Sequence, residues 1–369
     1  MRFTEFPFNE NLQKGIEKAG FSECTKVQEE TFTKLFAGND VAVQSQTGTG
    51  KTAAFLISIF HLFSLDKETY GRALILAPTR ELAVQIEEEA RLLGAFVPYT
   101  TGCFYGGVGY GQQEQLLGKK VDIVIGTPGR LLDFIGSGKL SLRDIGIVVI
   151  DEADRMFDMG FLPDLRRILS GLKPAAKRRT MLFSATLSYR VKSLAWEYMV
   201  SPAEIAITPE RITVEEITQE LYHVTKKEKF SLLLGILDKE KPENVLIFTN
   251  TKRKAEEVSR RLEFNGYPST FIIGDLQQKK RLAIINGVKQ GEIKYLVATD
   301  VAARGLHISD LELVINYDLP EDYENYVHRI GRTARAGKTG MAISLACEQF
   351  VYGLPAIEDF IGMKIPVSW

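Results

Sequence analysis

The sequence predicts two α/β domains, each built around a doubly wound parallel sheet and joined by a short linker. Three observations carry that expectation. Short apolar runs rich in β-branched residues alternate with amphipathic helical stretches. The alternation breaks once, at a polar segment with a proline near its start, and then restarts. The chain has 369 residues, enough for two domains at roughly 150 residues each.

The strand candidates of the first half are Val41-Ala42-Val43, Ala73-Leu74-Ile75-Leu76-Ala77, Val121-Asp122-Ile123-Val124-Ile125, Ile147-Val148-Val149-Ile150, Met181-Leu182-Phe183 and Glu204-Ile205-Ala206-Ile207. Such runs suit strands covered on both faces of a parallel sheet. Helical stretches follow most of them, as at 51–63 and 81–93, and repeated βαβ units wind a doubly wound sheet. Thr208-Pro209-Glu210-Arg211-Ile212-Thr213-Val214-Glu215-Glu216 reads as the linker. Beyond it Val245-Leu246-Ile247, residues 270–273, 295–298, Leu313-Val314-Ile315 and residues 341–345 resume the pattern. The expected domains are therefore 1–208 and 217–369.

Composition narrows the function classes. Hydrophobic residues are 45% and charged residues 25% of the chain, ordinary values for a soluble globular protein. No apolar run approaches the ~20 residues that span a bilayer, and the first residues lack the basic-then-apolar layout of a signal peptide. A cytoplasmic protein that uses no membrane is expected. Cys24, Cys103 and Cys347 lie far apart with no Cys-x-x-Cys pair, which argues for free thiols over a disulfide framework or zinc site. The net charge is −1, so any grip on a nucleic acid must come from a local groove and backbone N–H groups.

Two motifs point to phosphate chemistry. Ser45-Gln46-Thr47-Gly48-Thr49-Gly50-Lys51-Thr52 lies between a strand and a helix. The glycines let backbone N–H groups approach phosphate, Lys51 reaches the terminal phosphates, and the Thr52 hydroxyl ligates Mg²⁺. The strict pattern has glycine at position 45, where this chain has Ser45. Asp151-Glu152-Ala153-Asp154 follows the 147–150 strand, where α/β sheets gather their ligands. An isolated acidic cluster is also what a helix N-terminus favours. A phosphate loop ~100 residues upstream in the same domain selects another role: Asp151 on Mg²⁺, Glu152 on the attacking water.

With these motifs on the page, the chain resembles the DEAD-box RNA helicases of superfamily 2, over nearly its whole length and in the family's order. The resemblance implies two RecA-like domains, ATP and Mg²⁺ as cofactors, and RNA as partner. Gly20-Phe21 with Thr25 and Gln28 resembles the adenine-reading segment, with Phe3 as the upstream aromatic on the base. The same reading gives Gln46, Thr47, Gly48, Thr49 and Gly50 to the nucleotide. Pro78-Thr79-Arg80, Gly106-Gly107 and Thr127-Pro128-Gly129-Arg130 resemble the first domain's RNA-backbone contacts. Ser184-Ala185-Thr186 resembles the segment that couples hydrolysis to strand separation, with Asp154 and His328 joined to it. In the second domain Thr249, Gln278, Arg281, Thr299 and Asp300 stand at further implied RNA contacts. Gly305 lies where relatives touch nucleotide. Arg332 and Arg335, in His328-Arg329-Ile330-Gly331-Arg332-Thr333-Ala334-Arg335, stand as arginine fingers for the γ-phosphate. Such fingers contribute about 10³–10⁵ in rate elsewhere.

Two departures stand out. Lys26 replaces a usual proline. His307 replaces an aspartate that in relatives contacts the ATP ribose; it either weakens that contact, having opposite or zero charge, or is a loop histidine of no consequence. On the first reading, His307→Asp lowers the ATP KM or raises kcat, as steady-state ATPase assays would record; unchanged constants would leave the second. The stretch from Leu354 to Gly362, with Ile365-Pro366-Val367 after it, resembles one bacterial branch of the family, which implies a place in RNA turnover with a ribonuclease or ribonucleoprotein partner. A monomer is expected. Two other functions fit the motifs less well. An ATP-gated RNA clamp conflicts with intact Lys51, Glu152, Arg332 and Arg335, and a DNA translocase conflicts with the Asp-Glu-Ala-Asp form and Gln28.

Overall fold

The structure is a computed structural model. It describes the chain apart from residues 46–47, 208–216, 275, 277, 304–310, 322, 334–339 and 369, and apart from the side chains of 278, 279, 282, 289, 301 and 324. The expected linker lies outside the described residues. The chain divides into two compact units, Met1–Pro209 and Glu210–Trp369.

The first unit holds β1 (Val41–Gln44), β2 (Arg72–Leu76), β3 (Thr101–Phe104), β4 (Ile123–Gly126), β5 (Ile145–Ile150), β6 (Arg179–Ser184) and β7 (Ala203–Ala206). They form one sheet in the order β3-β4-β2-β5-β6-β1-β7, every pair parallel. Alternate residues sort onto two apolar faces. Val41, Val43, Ile75, Ile147, Val149 and Phe183 belong to one core, and Leu74, Leu76, Val124, Val148, Ile150 and Leu182 to the other. Side-chain alternation along a strand produces this split, and it is why the runs read as continuously apolar.

The second unit holds β8 (Ile217–His223), β9 (Val245–Phe248), β10 (Ser269–Ile272), β11 (Tyr295–Ala298), β12 (Leu313–Asn316) and β13 (Gly340–Ala346). Their order is β10-β11-β9-β12-β13-β8, again all parallel. Two strands had no counterpart in the sequence reading: β3 of the first unit and β8 of the second. Both are edge strands, as are β7 and β10, which were read. What hides β3 and β8 is composition: Thr101-Gly102-Cys103-Phe104 has one β-branched residue, at its start, and Ile217–His223 alternates buried with exposed or half-buried residues.

The helices start where short-range chemistry starts them. Thr25 caps the Lys26–Phe36 helix in a capping box with Gln28. Thr79 caps Arg80–Leu93, and Pro128 opens Pro128–Gly136 at a position where its missing N–H costs nothing.

One buried polar group has a consequence for stability. His61 is packed among Phe8 and Phe36, at ring-centroid distances of 5.4 and 4.3 Å, and its Nδ1 is buried without a hydrogen-bond partner. Burial lowers its pKa below the ordinary histidine value. The folded state therefore resists a proton that the unfolded chain accepts below about 6.5. Stability contributed by neutral His61 is present above that pH and declines as pH falls through it. The urea midpoint of the first unit should fall between pH 7.5 and pH 5, and His61→Phe should shrink that fall. An equal fall in both proteins would remove His61 from the account.

Candidate active site

The sheet order of the first unit sorts its loops into two groups. The carboxyl ends of β5, β6 and β1, which are neighbours, carry Asp151-Glu152, Ser184-Ala185-Thr186 and the 45–52 loop. The ends of β3, β4 and β2, also neighbours, carry Gly106-Gly107, Thr127–Arg130 and Pro78–Arg80. Nucleotide-type and RNA-type motifs thus occupy opposite halves of one sheet edge.

Gln46 and Thr47 lie outside the described residues of the phosphate loop. Gly48 and Gly50 take φ of +86° and +88°, a backbone region that glycine enters freely. A Cβ on Gly50 would also stand 2.5 Å from Gln28 Nε2. Ser45 fits where the strict pattern has glycine because its side chain is buried and used: Oγ lies 2.5 Å from Thr49 Oγ1. The Ser45 carbonyl accepts from Lys51 Nζ at 2.8 Å. Lys51 is thus folded back on its own loop and is 7% exposed. Thr52 follows it, half-buried.

The adenine-reading residues differ in part from expectation. Thr25 Oγ1 donates to the Thr49 carbonyl at 2.8 Å. Gln28 is 1% exposed; its Oε1 accepts from Thr25 N at 2.9 Å and its Nε2 donates to the Gly50 carbonyl at 3.2 Å. The amide expected on a base edge here ties a helix start to the phosphate loop. Phe3 is 3% exposed, packed 6.0 Å from Phe21 and 6.2 Å from Phe32. It packs against half-buried Phe21.

Asp151 closes the phosphate side. It is buried, and its Oδ1 accepts from Glu152 N at 2.9 Å. Burial pushes its pKa up to about 7; Lys51 pulls it down, while Glu152 and Asp154 add to the rise. Glu89, which the sequence reading passed over, is pushed up to about 7 by burial and then by Asp151. A buried Asp151 whose charge is disfavoured in this way suits a hard cation, which would favour its ionised form. The described residues include no group of three or more His, Cys, Asp or Glu able to hold a metal. Asp151 and the Thr52 hydroxyl are the groups that would hold Mg²⁺ beside phosphates. Glu152 sits in the left-handed region, φ 51° and ψ 53°, as N-cap of Ala153–Asp158. Asp154 is held at both ends: its N donates to Ser184 Oγ at 3.2 Å, and its Oδ2 accepts from Thr186 N at 3.1 Å.

The RNA-type loops are built on inward contacts. Thr79 Oγ1 accepts from Leu82 N, and Pro78 is buried. The Arg80 guanidinium lies 4.4 Å from the Tyr105 ring centre. Gln113, not foreseen, grips both backbone groups of Tyr105 at 3.1 Å and so holds the start of the loop containing Gly107, whose φ is +80°. Thr127 is half-buried and Gly129 exposed. Arg130 is 6% exposed, covered by Tyr110 at 4.1 Å, and donates from Nη2 to the Val108 carbonyl at 2.8 Å. Its Nε and Nη1 are buried without a hydrogen-bond partner.

In the second unit the expected RNA contacts also have inward partners. Thr249 is buried, its hydroxyl donating to the Thr251 carbonyl. Thr299 is buried, and Arg281 is buried with Nη2 on the Ala302 carbonyl at 2.9 Å. Both carboxylate oxygens of Asp300 accept from Arg329, at 2.6 and 2.7 Å. His328 and Arg332 are half-buried; the Arg332 carbonyl accepts from Leu311 N. The Gln278 side chain, Gly305, His307 and Arg335 lie outside the described residues.

A strand-loop-helix phosphate grip beside a buried acidic strand end, on a parallel sheet, is the plan of the phosphate-loop nucleoside triphosphatases. Within that class the comparisons are specific. Residues 25–194 match the DEAD/DEAH box helicase model, and 228–337 match the helicase conserved C-terminal domain. The chain belongs to the DEAD-box helicase family. It is 48% identical over 372 residues to the ATP-dependent RNA helicase RhlB of Pasteurella multocida (strain Pm70), covering 100% of this chain and 88% of that protein. RhlB of Haemophilus influenzae (strain ATCC 51907 / DSM 11121 / KW20 / Rd) is also 48% identical, with 100% and 90% covered. The structure of S. cerevisiae Dbp5 bound to RNA and ADP BeF3 is similar at a TM-score of 0.86 and 30% identity, covering 100% of this chain and 95% of that one.

Proposed function

We propose that this chain is an ATP-dependent RNA helicase in which RNA-stimulated ATP hydrolysis unwinds short duplexes locally. The observation that carries the reading is the division of one sheet edge into a phosphate half and an RNA-type half, with Asp154 held by Ser184 and Thr186 at the phosphate half. The RhlB relatives are named ATP-dependent RNA helicases, and the similar Dbp5 structure holds RNA with a nucleotide analogue. Lys51 and the loop N–H groups grip the phosphates, and Thr52 and Asp151 would hold Mg²⁺, which supplies charge neutralisation when bound. Glu152 orients the attacking water. Arg332 and Arg335 serve as arginine fingers, which makes turnover depend on domain closure. Pro78 to Arg80, Gly107 and Thr127 to Arg130 in the first unit, with Thr249, Gln278, Arg281, Thr299 and Asp300 in the second, are the RNA contacts, a backbone-directed mode without sequence code.

Likeness to RhlB along the whole chain further supports a role in RNA turnover beside a ribonuclease partner, in the cytoplasm and as a monomer. No helix among the described residues is long and apolar enough to cross a membrane. The deciding measurement is ATP turnover with RNA, with DNA and with neither, beside strand displacement on a short RNA duplex. Stimulation by RNA alone with displacement supports the reading. Equal stimulation by DNA points to a translocase, and binding without turnover to a clamp.

A further inference from the structure

Arg155 played no part in the sequence reading, yet it touches the residue on which the chemistry turns. Its Nη1 lies 2.9 Å from Glu152 Oε2. The pair is nearly dry: the two side chains are 8% and 15% exposed. We propose that Arg155 is the positioning residue for the Glu152 carboxylate, holding it in the orientation from which it orders the attacking water.

Three observations support this. First, Arg155 is the third residue of the six-residue Ala153–Asp158 helix and Glu152 is its N-cap, so the two side chains are three residues apart and share one face of the helix start. Second, Glu152 is a non-glycine residue in the left-handed region, a strained backbone that persists only where surroundings over-determine it. The pair closes the turn from the side-chain end, while the Glu152 carbonyl accepting from Met156 N at 3.1 Å closes it from the backbone end. Third, burial removes the solvent screening that makes ion pairs of this spacing weak on helix surfaces.

In phosphoryl transfer the protein contributes mainly position and charge stabilisation, with little covalent chemistry, so orienting the water is the contribution this pair makes. Arginine suits the task because its planar fork fixes a carboxylate's rotation, which a lysine ammonium does not.

The proposal rests on the reading of Glu152 as the water-orienting base, and its test separates the two. Steady-state ATP turnover of the full chain, with Mg²⁺ and single-stranded RNA, would be compared for wild type, Arg155→Met, Arg155→Lys, Glu152→Gln and the Arg155→Met/Glu152→Gln double variant. Arg155→Met should lower kcat by about 10²-fold, the cost of a misplacement on the scale of 1 Å, with the KM values for ATP and RNA unchanged. Arg155→Lys should recover part of the loss. The double variant should be no slower than Glu152→Gln alone, because Arg155 acts through Glu152. Wild-type kcat in Arg155→Met beside an inactive Glu152→Gln overturns the proposal and leaves Glu152 in its role. Wild-type turnover in Glu152→Gln overturns both. Raised RNA-independent turnover in Arg155→Met would make the pair a brake, and a kcat loss that tracks lowered thermal stability without recovery in Arg155→Lys would make it merely structural; either result overturns the proposal.

Discussion

Glu152→Gln is expected to lower RNA-stimulated ATP turnover by about 10²–10⁴-fold, the range a positioned acid–base group contributes, while ATP and RNA still bind. The substitution keeps the shape of the side chain and removes one negative charge. The phosphate loop is untouched: Lys51 on the Ser45 carbonyl and Thr25 on Thr49 make their contacts without Glu152. Asp151 loses a neighbour that raises its pKa, so its ionised form is easier to reach and Mg²⁺ affinity should hold or rise. The loss should therefore fall on kcat, leaving the ATP KM near its original value. Single-turnover hydrolysis with RNA in excess, beside equilibrium binding of ATP, separates the two quantities. Turnover within a few-fold of wild type would remove Glu152 from the chemistry.

The backbone plan of this site was legible in the sequence, and the direction of several side chains was not. A phosphate loop after β1 and an acidic pair after β5 follow from local patterns: glycines at left-handed positions, and an apolar run that stops at a carboxylate. Central strands announce themselves because both of their faces are covered, whereas β3, with one β-branched residue, and β8, with its alternating burial, do not. Whether an arginine faces solvent is decided by residues elsewhere in the chain. That Tyr110, in another loop, lies across the Arg130 guanidinium cannot be read from the local motif. Gln28 looks like a base reader, and the same amide fits the Gly50 carbonyl 22 residues away. Asp300 and Arg329 sit in two separate motifs, and their pairing is fixed by β11 lying near the end of the helix Tyr323–Ile330 (29 residues apart in sequence). The Glu152–Arg155 pair spans only three residues, but nothing in its spacing distinguishes it from a solvated helical pair without knowledge of its burial.

The largest effect on stability is expected at Arg329. It is 1% exposed, and all five of its N–H donors are engaged. Nε and Nη2 bind the two oxygens of Asp300, and Nη2 also reaches Asn250 Oδ1 at 2.9 Å. Nη1 binds Asn316 Oδ1 at 3.2 Å and the Asp318 carbonyl at 2.6 Å. Asp318 in turn accepts from buried Lys229 at 2.7 Å and from Asn250 N at 3.2 Å. This network joins the carboxyl ends of β9, β11 and β12, the strand ends from which the second unit's expected RNA loops depart. Arg329→Met removes a buried cation and leaves the Asp300 carboxylate, 21% exposed, without its partner, so the second unit should lose about 2–3 kcal/mol, less than the usual cost of a fully buried uncompensated charge because water reaches Asp300. Arg329→Lys is no repair, because three donors on a point charge cannot serve five acceptor contacts spread over a plane. Hydrogen exchange gives the test: amides of β9, β11 and β12 should lose protection, while those of β1 and β5 in the first unit keep theirs. Unchanged protection in β9, β11 and β12 would mean that the network orders the loops without holding up the sheet. A smaller loss in Arg329→Met than in Arg329→Lys would mean that burying the cation costs more than its five hydrogen bonds return, since the apolar chain would then be the better tenant of the same space.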